Sequence, residues 1–176
     1  GGAYPRIYRE AIYISGSMND LFSLTKIRID HNYFNMGSHT IFSSGYVNGV
    51  IDSNIFVNPD VGIFVRGDES YAWNRSIEAG TASALFIENN TFILDNNYGS
   101  KQSDEMVYPQ EGARVVVRNN IYNATKYNRT DTPPFATSHP NWGGSAPYYE
   151  TYRGQPIYEV YNNNIFLNKT NYVMIS

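Results

Sequence analysis

The sequence predicts an all-β fold, a right-handed, single-stranded parallel β-helix (solenoid) of about five stacked coils. Two motifs that recur in phase, and an Asn that returns at the end of each copy of the first motif, support this prediction. The composition agrees with it, because charged residues make up only 16% of the chain while Asn, Tyr, Ser, Thr and Gly are abundant. Such a chain is a poor helix former and suits strands joined by tight turns.

The first motif has apolar residues at alternate positions, then Asn, then an inward aromatic. It occurs at Ile27–Phe34, Gly49–Phe56, Leu85–Phe92 and Val115–Tyr122, and more loosely at Val160–Phe166, where the register is ambiguous by one residue. Alternation with period two places one set of side chains on the inner face of a strand. The Asn suits a sharp corner, where its side chain can bond to the turn backbone or to the Asn of the next coil. Two residues later an aromatic is expected to turn inward and stack on its counterparts, namely Phe34, Phe56, Phe92, Tyr122 and Phe166.

The second motif is shorter and follows the same period. Ile12–Gly16, Ile41–Gly45 and Ile63–Gly67 resemble one another, and both Asn32 to Asn54 and Ile41 to Ile63 span 22 residues. Two independent motifs that repeat with the same spacing indicate one repeating coil. An antiparallel sandwich also has short alternating strands, but it does not require the same corner residue at every turn.

Later coils are longer, and the ends carry no caps. Spacings grow to 36, 30 and 44 residues, which predicts loop insertions at about 68–76, 96–112 and 123–155. We expect residues 1–176 to form a single β-helix segment, either part of a longer chain or covered at its ends by a neighbouring copy through end-to-end or lateral self-association. Contact between Ile12–Ile14 of one copy and Val173–Ile175 of another would fit such an assembly.

Charge and hydropathy exclude several classes of partner. The formal net charge is -3, which leaves no basic footprint for nucleic acid. No apolar run approaches the roughly 18 residues needed to span a bilayer. Cysteine is absent, so neither disulfides nor thiolate metal sites are involved. An extracellular or cell-surface location is expected, with any export signal outside this chain, from the glycosylation sequons at Asn74, Asn89, Asn123, Asn128 and Asn168.

The repeats resemble the pectate-lyase-like superfamily of right-handed parallel β-helix proteins. The resemblance rests on Ile27–Phe56, on Trp73–Phe92, and on Arg153-Gly154 with Glu159–Asn163. It implies the fold over most of the chain, and a polysaccharide or cell-surface glycan as partner. The superfamily includes lyases, hydrolases and epimerases as well as tailspikes and adhesins, so the resemblance does not choose an activity.

An outward column beside the corner Asn is the candidate site, and it reads Asp30, Asp52, Glu88, Arg118. Asp30 and Asp52 are expected about 5 Å apart, close enough to share a proton or bind Ca²⁺. The resemblance implies either a general acid and base, as in an inverting glycoside hydrolase, or a calcium site, as in a polysaccharide lyase. His31, next to the pair, can shuttle a proton. The alternatives are a solvated polar column neutralised by Arg28 and Arg118, and a His31 that is only a polar corner residue.

The long insertion 123–155 is the second candidate surface. Its aromatic rings can stack on sugar faces while their polar tips form hydrogen bonds, or they can bury against the solenoid to hold the loop. We expect substrate contacts from Glu88 and Arg118 on the strand face, and from Trp142, Tyr148, Tyr149, Tyr152 and Arg153 in the loop. The predicted function is an extracellular scaffold that binds, and in one version cleaves, polysaccharide. The alternative is a structural module of an adhesin, tailspike or self-assembling filament.

Overall fold

The computed structural model is all-β in the residues that it describes, namely 10–16, 25–45, 47–67, 84–95, 105–110, 113–126 and 157–167. These residues contain no helix, and so none that could cross a membrane. Every strand pairing is parallel, as the sequence predicts. Parallel neighbours place equivalent side chains directly over one another, so each motif becomes a column.

The strands form two sheets. The five-stranded sheet contains β2 (Thr25–Asp30), β4 (Val47–Asp52), β6 (Leu85–Glu88), β9 (Arg114–Arg118) and β11 (Ile157–Tyr161). The seven-stranded sheet contains β1 (Ile12–Ser15), β3 (Tyr33–Ser44), β5 (Ile55–Arg66), β7 (Thr91–Ile93), β8 (Glu105–Gln110), β10 (Ile121–Ala124) and β12 (Asn164–Leu167). Each strand of the smaller sheet is followed, after a two-residue corner, by a strand of the larger sheet. The two sheets therefore alternate along the chain, except that the consecutive strands β7 and β8 both belong to the larger sheet.

The corner is built the same way in every coil. Its first residue has a left-handed backbone, with φ between 54° and 57°, which Asn tolerates better than most residues. Its second residue is a ladder Asn, the members being Asn32, Asn54, Asn90, Asn120 and Asn163. Within the ladder, each backbone N–H and side-chain amide donates to the Oδ1 of the next Asn at 2.9–3.1 Å. The predicted bonds to the turn backbone and to the next Asn are both confirmed.

The ladder resolves the ambiguous register of the last motif. Asn163 is the ladder residue, 43 residues after Asn120, so the predicted spacing of 44 is one too long. In consequence Ile165, and not Phe166, pairs with Tyr122 in the inward column. The prediction that Phe166 turns inward is wrong: this side chain is 50% exposed.

Three of the predicted inward aromatics stack as predicted, namely Phe34, Phe56 and Phe92. Phe56 lies between Phe34 and Phe92, with ring centroids 5.0 Å and 4.6 Å apart. Phe56 and Phe92 are fully buried, and they join a core of aliphatic side chains from both sheets that includes Ile51, Leu85 and Ile87. Offset or parallel stacking of this kind contributes about 0.5–1.5 kcal/mol per pair beyond area burial.

The second motif also stands in register. Ile12 pairs with Ile41, and Ile41 with Ile63, in the second half of the larger sheet. β8 extends this half by pairing with β5, although it lies within the stretch 96–112 for which we predicted a loop insertion. Because β8 has no corner Asn, the repeated motif does not predict this strand.

Candidate functional site

The predicted outward column exists as one row of side chains. Asp30 pairs with Asp52, Asp52 with Glu88, and Glu88 with Arg118, each one strand further along the five-stranded sheet. Tyr161 continues the row on β11. These five residues, which we call the charged row, each lie directly before a corner. Parallel strands are spaced by about 4.8 Å, so the row is about 19 Å long.

Arg28 lies over the acidic pair. Its Nε is 3.3 Å from Asp30 Oδ2, and its Nη2 is 3.7 Å from Asp52 Oδ2. Arg28 is two residues before Asp30 and so shares its face of β2. Because one guanidinium contacts both carboxylates, the pair is already partly neutralised, as in the alternative that treats the column as a solvated polar surface.

His31 contacts Asp30 of this pair. It occupies the left-handed corner position, and its Nδ1 lies 3.1 Å from Asp30 Oδ2. The hydrogen bond with His31 is the largest effect, and it lowers the pKa of Asp30 below its ordinary value. Desolvation opposes it, and the charge and hydrogen bond of Arg28 lower the pKa further. Asp30 is therefore ionised at neutral pH, the state of a base or a ligand and not of a general acid.

Glu88 and Arg118 form the other half of the charged row. Arg118 Nε lies 2.5 Å from Glu88 Oε2, its Nη1 lies 3.0 Å from the Tyr161 hydroxyl, and its guanidinium carbon is 5.1 Å from the centre of the Phe86 ring. Hydrogen bonds with Tyr161 and then Glu88 raise the pKa of Arg118. Tyr161 could not be assigned to this row from the sequence, because the register of its motif is ambiguous.

The corners themselves form a second row. The left-handed residues are exposed in four coils and half-buried in one, and they are His31, Ser53, Asn89, Asn119 and Asn162. We call them the corner row. Their amide and hydroxyl groups extend from the edge between the two sheets, one per coil, and can both donate and accept hydrogen bonds.

An apolar row lies on the other side of the corner row. It consists of the first residue of each strand that follows a corner: Tyr33 pairs with Ile55, Ile55 with Thr91, Thr91 with Ile121, and Ile121 with Asn164. Tyr33 is 64% exposed, and Ile55 and Ile121 are 40% and 38% exposed. Three of the five side chains are therefore exposed and apolar, with Thr91 between them and Asn164 at the end, and exposed apolar groups of this kind are characteristic of a contact surface.

A separate aromatic column stands on the second half of the larger sheet. Tyr13, Phe42 and Phe64 stack with centroids 5.2 Å and 4.9 Å apart, so each ring covers the face of the next. His39 packs against Phe42 and Phe64, and its burial lowers its pKa, against the opposing charges of Glu10 and Asp60. Because the ring faces are occupied, this column is a packing feature and not a platform for sugar rings.

The predicted contacts in the long insertion lie outside the described residues, namely Trp142, Tyr148, Tyr149, Tyr152 and Arg153. Among the described residues, no group of three or more His, Cys, Asp or Glu is arranged to hold a metal ion. Asp30 and Asp52 offer two carboxylates, whereas Ca²⁺ takes six to eight oxygen ligands. The guanidinium of Arg28 is the counter-ion of this pair, because it contacts both carboxylates.

Comparisons of the chain with protein-family models, curated proteins and solved structures found no match. Functional inference therefore rests on the three rows along the edge between the sheets.

Proposed function

We propose that the two sheets belong to a right-handed parallel β-helix. The alternation of the sheets along the chain, broken among the described strands where β8 follows β7, supports this architecture, as does the recurrence of one corner in every coil. Connections between parallel strands of one sheet are right-handed in about 98% of cases, which supports the hand. We further propose an extracellular or cell-surface location, in keeping with the sequon at the exposed corner residue Asn89.

We propose that this β-helix binds polysaccharide along the edge between its sheets. The observation that carries the proposal is the juxtaposition of the charged row, the corner row and the apolar row, each with one residue per coil. A sugar polymer presents hydroxyl groups along its sides and C–H surfaces on its ring faces. Amides and charged groups can hydrogen-bond the hydroxyls, while the exposed ring of Tyr33 and the aliphatic side chains beside it can cover the C–H surfaces.

Corner substitutions test the proposal without disturbing the backbone. Replacing Asn89 and Asn119 by Gly removes two amides from the edge and keeps the left-handed conformation, which Gly adopts readily. We expect the double variant to bind polysaccharide at least about tenfold more weakly, a loss of about 1.4 kcal/mol. Tyr13→Ser serves as the control, because Tyr13 is 60% exposed but lies on the second half of the larger sheet.

Binding is measured by calorimetry against a panel of soluble polysaccharides, and urea unfolding checks that both variants remain folded. If the wild-type chain binds no member of the panel, or if Tyr13→Ser and the double Gly variant lose affinity equally, the edge is not the binding surface.

The proposal is for binding, and cleavage is a separate question about Asp30, Asp52 and His31. A hydrolase needs one protonated carboxyl group, whereas the pKa of Asp30 is lowered and Arg28 contacts both carboxylates. The assay is the release of unsaturated products or new reducing ends, with and without calcium. Activity in the wild type that Asp30→Asn and Asp52→Asn both abolish would show that the pair is catalytic after all.

A structural module is the second candidate, and the end of the ladder favours it. Asn32 Oδ1 accepts no hydrogen bond from the described residues, whereas Asn54, Asn90 and Asn120 each receive two from the preceding Asn. A donor from a second copy, or from residues outside the described ranges, would complete the ladder there. Sedimentation velocity over a range of concentrations tests whether a second copy associates with the chain. A monomer at all concentrations would contradict self-association.

A further inference from the structure

The charges on the outer face of the five-stranded sheet cancel. Residues that alternate with the buried core positions contribute four cations and four anions in the described part of this face, with histidine counted as neutral. The cations are Lys26, Arg28, Arg118 and Arg114, the last of which is buried, and the anions are Asp30, Asp52, Glu88 and Glu159. The described residues of this face therefore offer no net positive field to attract a polyanion.

The two arginines at the edge are already paired. Arg28 contacts Asp30 and Asp52, and Arg118 contacts Glu88 and Tyr161. A ligand carboxylate could bind either guanidinium only by displacing a protein carboxylate, which would then lie beside the ligand's own charge. Like charges in contact are destabilising, so the charged row discriminates against acidic polymers.

The chemistry of the corner row also favours an uncharged ligand. Four of its five members carry uncharged amide or hydroxyl groups, which match the donors and acceptors of sugar hydroxyls without requiring a ligand charge. These members are Ser53, Asn89, Asn119 and Asn162. The apolar row on the far side adds no charge.

We infer that the polysaccharide bound along this edge is uncharged, an inference that rests on the proposed binding function. Arg28 and Arg118 then orient the carboxylates that they contact, and these carboxylates accept hydrogen bonds from sugar hydroxyls. Glycans of the polyuronate class are the ligands that the face rejects.

A matched pair of ligands tests the inference. Oligogalacturonate and its fully methyl-esterified form have the same backbone and length but differ in charge. We expect the ester to bind at least about tenfold more tightly than the acid at low salt, with an affinity that stays constant between about 0.05 M and 0.5 M NaCl. Calorimetry with both ligands, alongside neutral glucans and mannans, gives the comparison.

A protein variant supplies the second measurement. Glu88→Gln removes one negative charge from the charged row and keeps an oxygen that accepts hydrogen bonds. Because Glu88 belongs to the proposed binding surface, the quantity compared is a ratio: the affinity for the acid, relative to the affinity for neutral ligands, should rise by about tenfold. Tighter binding of the acid than of the ester by the wild type, weakening as salt is added, would overturn the inference and leave the binding function intact. If neither the pair nor any neutral polymer binds, the binding function itself fails, and the inference with it.

Discussion

Asn90 is one of two fully buried ladder residues, the other being Asn120, and its removal should destabilise the stack strongly. Its side chain is fully buried, and its Oδ1 accepts hydrogen bonds from the Asn54 backbone N–H and side-chain amide, both at 3.0 Å. Its Nδ2 donates to the carbonyl oxygens of Ile51 and Glu88 at 2.9 Å and 3.0 Å. Replacing Asn90 by Ala therefore leaves the buried N–H of Asn54 without its acceptor and removes the side-chain donor from the Ile51 carbonyl.

An unsatisfied buried polar group costs about 1–3 kcal/mol, so two of them lower the free energy of unfolding by about 2–6 kcal/mol, and we expect about 4. Asn32→Ala is the matched control, because Asn32 is exposed and water can replace the bonds that its amide makes to Asp30 and Asn54. Its loss should stay below about 1 kcal/mol.

Urea unfolding followed by circular dichroism measures both variants, and an unchanged slope with denaturant shows that the comparison is valid. If Asn90→Ala and Asn32→Ala differ by less than about 0.5 kcal/mol, the ladder does not stabilise the stack in the way argued here.

Asn90→Asp adds a pH test of the same geometry. An ionised carboxylate cannot donate to Ile51 and Glu88, and burial raises its pKa in the folded chain. Stability is therefore greatest below the unfolded pKa of about 3.9 and is lost as the pH rises through the folded value. At neutral pH we expect Asn90→Asp to be less stable than Asn90→Ala, with the difference shrinking in acid. A difference that is independent of pH would contradict the assigned hydrogen bonds.

Three further predictions follow from the packing. Gly49→Ala should cost about 3 kcal/mol or more in urea unfolding, because φ is 120° and an added Cβ would lie 2.0 Å from the Ile27 carbonyl oxygen. Phe92→Ala should cost about 3–5 kcal/mol by the same assay, whereas Phe166→Ala at a half-exposed position should cost under about 1. Burial lowers the pKa of His39, so stability is full above the unfolded pKa of about 6.5 and falls as the pH drops below it; the urea midpoint of His39→Gln should lack this dependence.

The parallel stacking could be predicted because two motifs fixed the same period independently. Once Asn32 and Asn54 define one step, the columns of the core and of the charged row follow from the period of two along each strand. The prediction failed by one residue at Asn162–Asn164, where three consecutive Asn satisfy the motif equally well. Only the stacking of Asn163 under Asn120 distinguishes them, and that contact is not local in the sequence.

β8 illustrates a different limit. Its residues Met106 and Val107 are buried, yet the strand carries neither corner Asn nor a copy of the second motif. β8 pairs with the second half of β5, which β7 does not reach. The position of β8 in the sheet therefore depends on the edge of β5 that β7 leaves free and not on a motif in its own sequence. Arg28, by contrast, was foreseeable as a counter-ion, because it is two residues from Asp30 on the same face of one strand.

The corner separates the residues that fix the fold from those that are free to carry function. A ladder Asn bonds within the stack, so a change at Asn54, Asn90 or Asn120 disturbs the neighbouring coils. The residue two places earlier faces outward, and it is Asp, Glu, Arg or Tyr in different coils of the same scaffold. The ladder bonds to the backbone carbonyl of this residue and not to its side chain, so variation of the side chain costs the fold little, and the row that it forms can be matched to a ligand. For this reason we expect the ligand to bind at this edge. Glu88→Gln is the most direct single substitution to test this, because it changes the charge of the charged row and leaves the ladder intact.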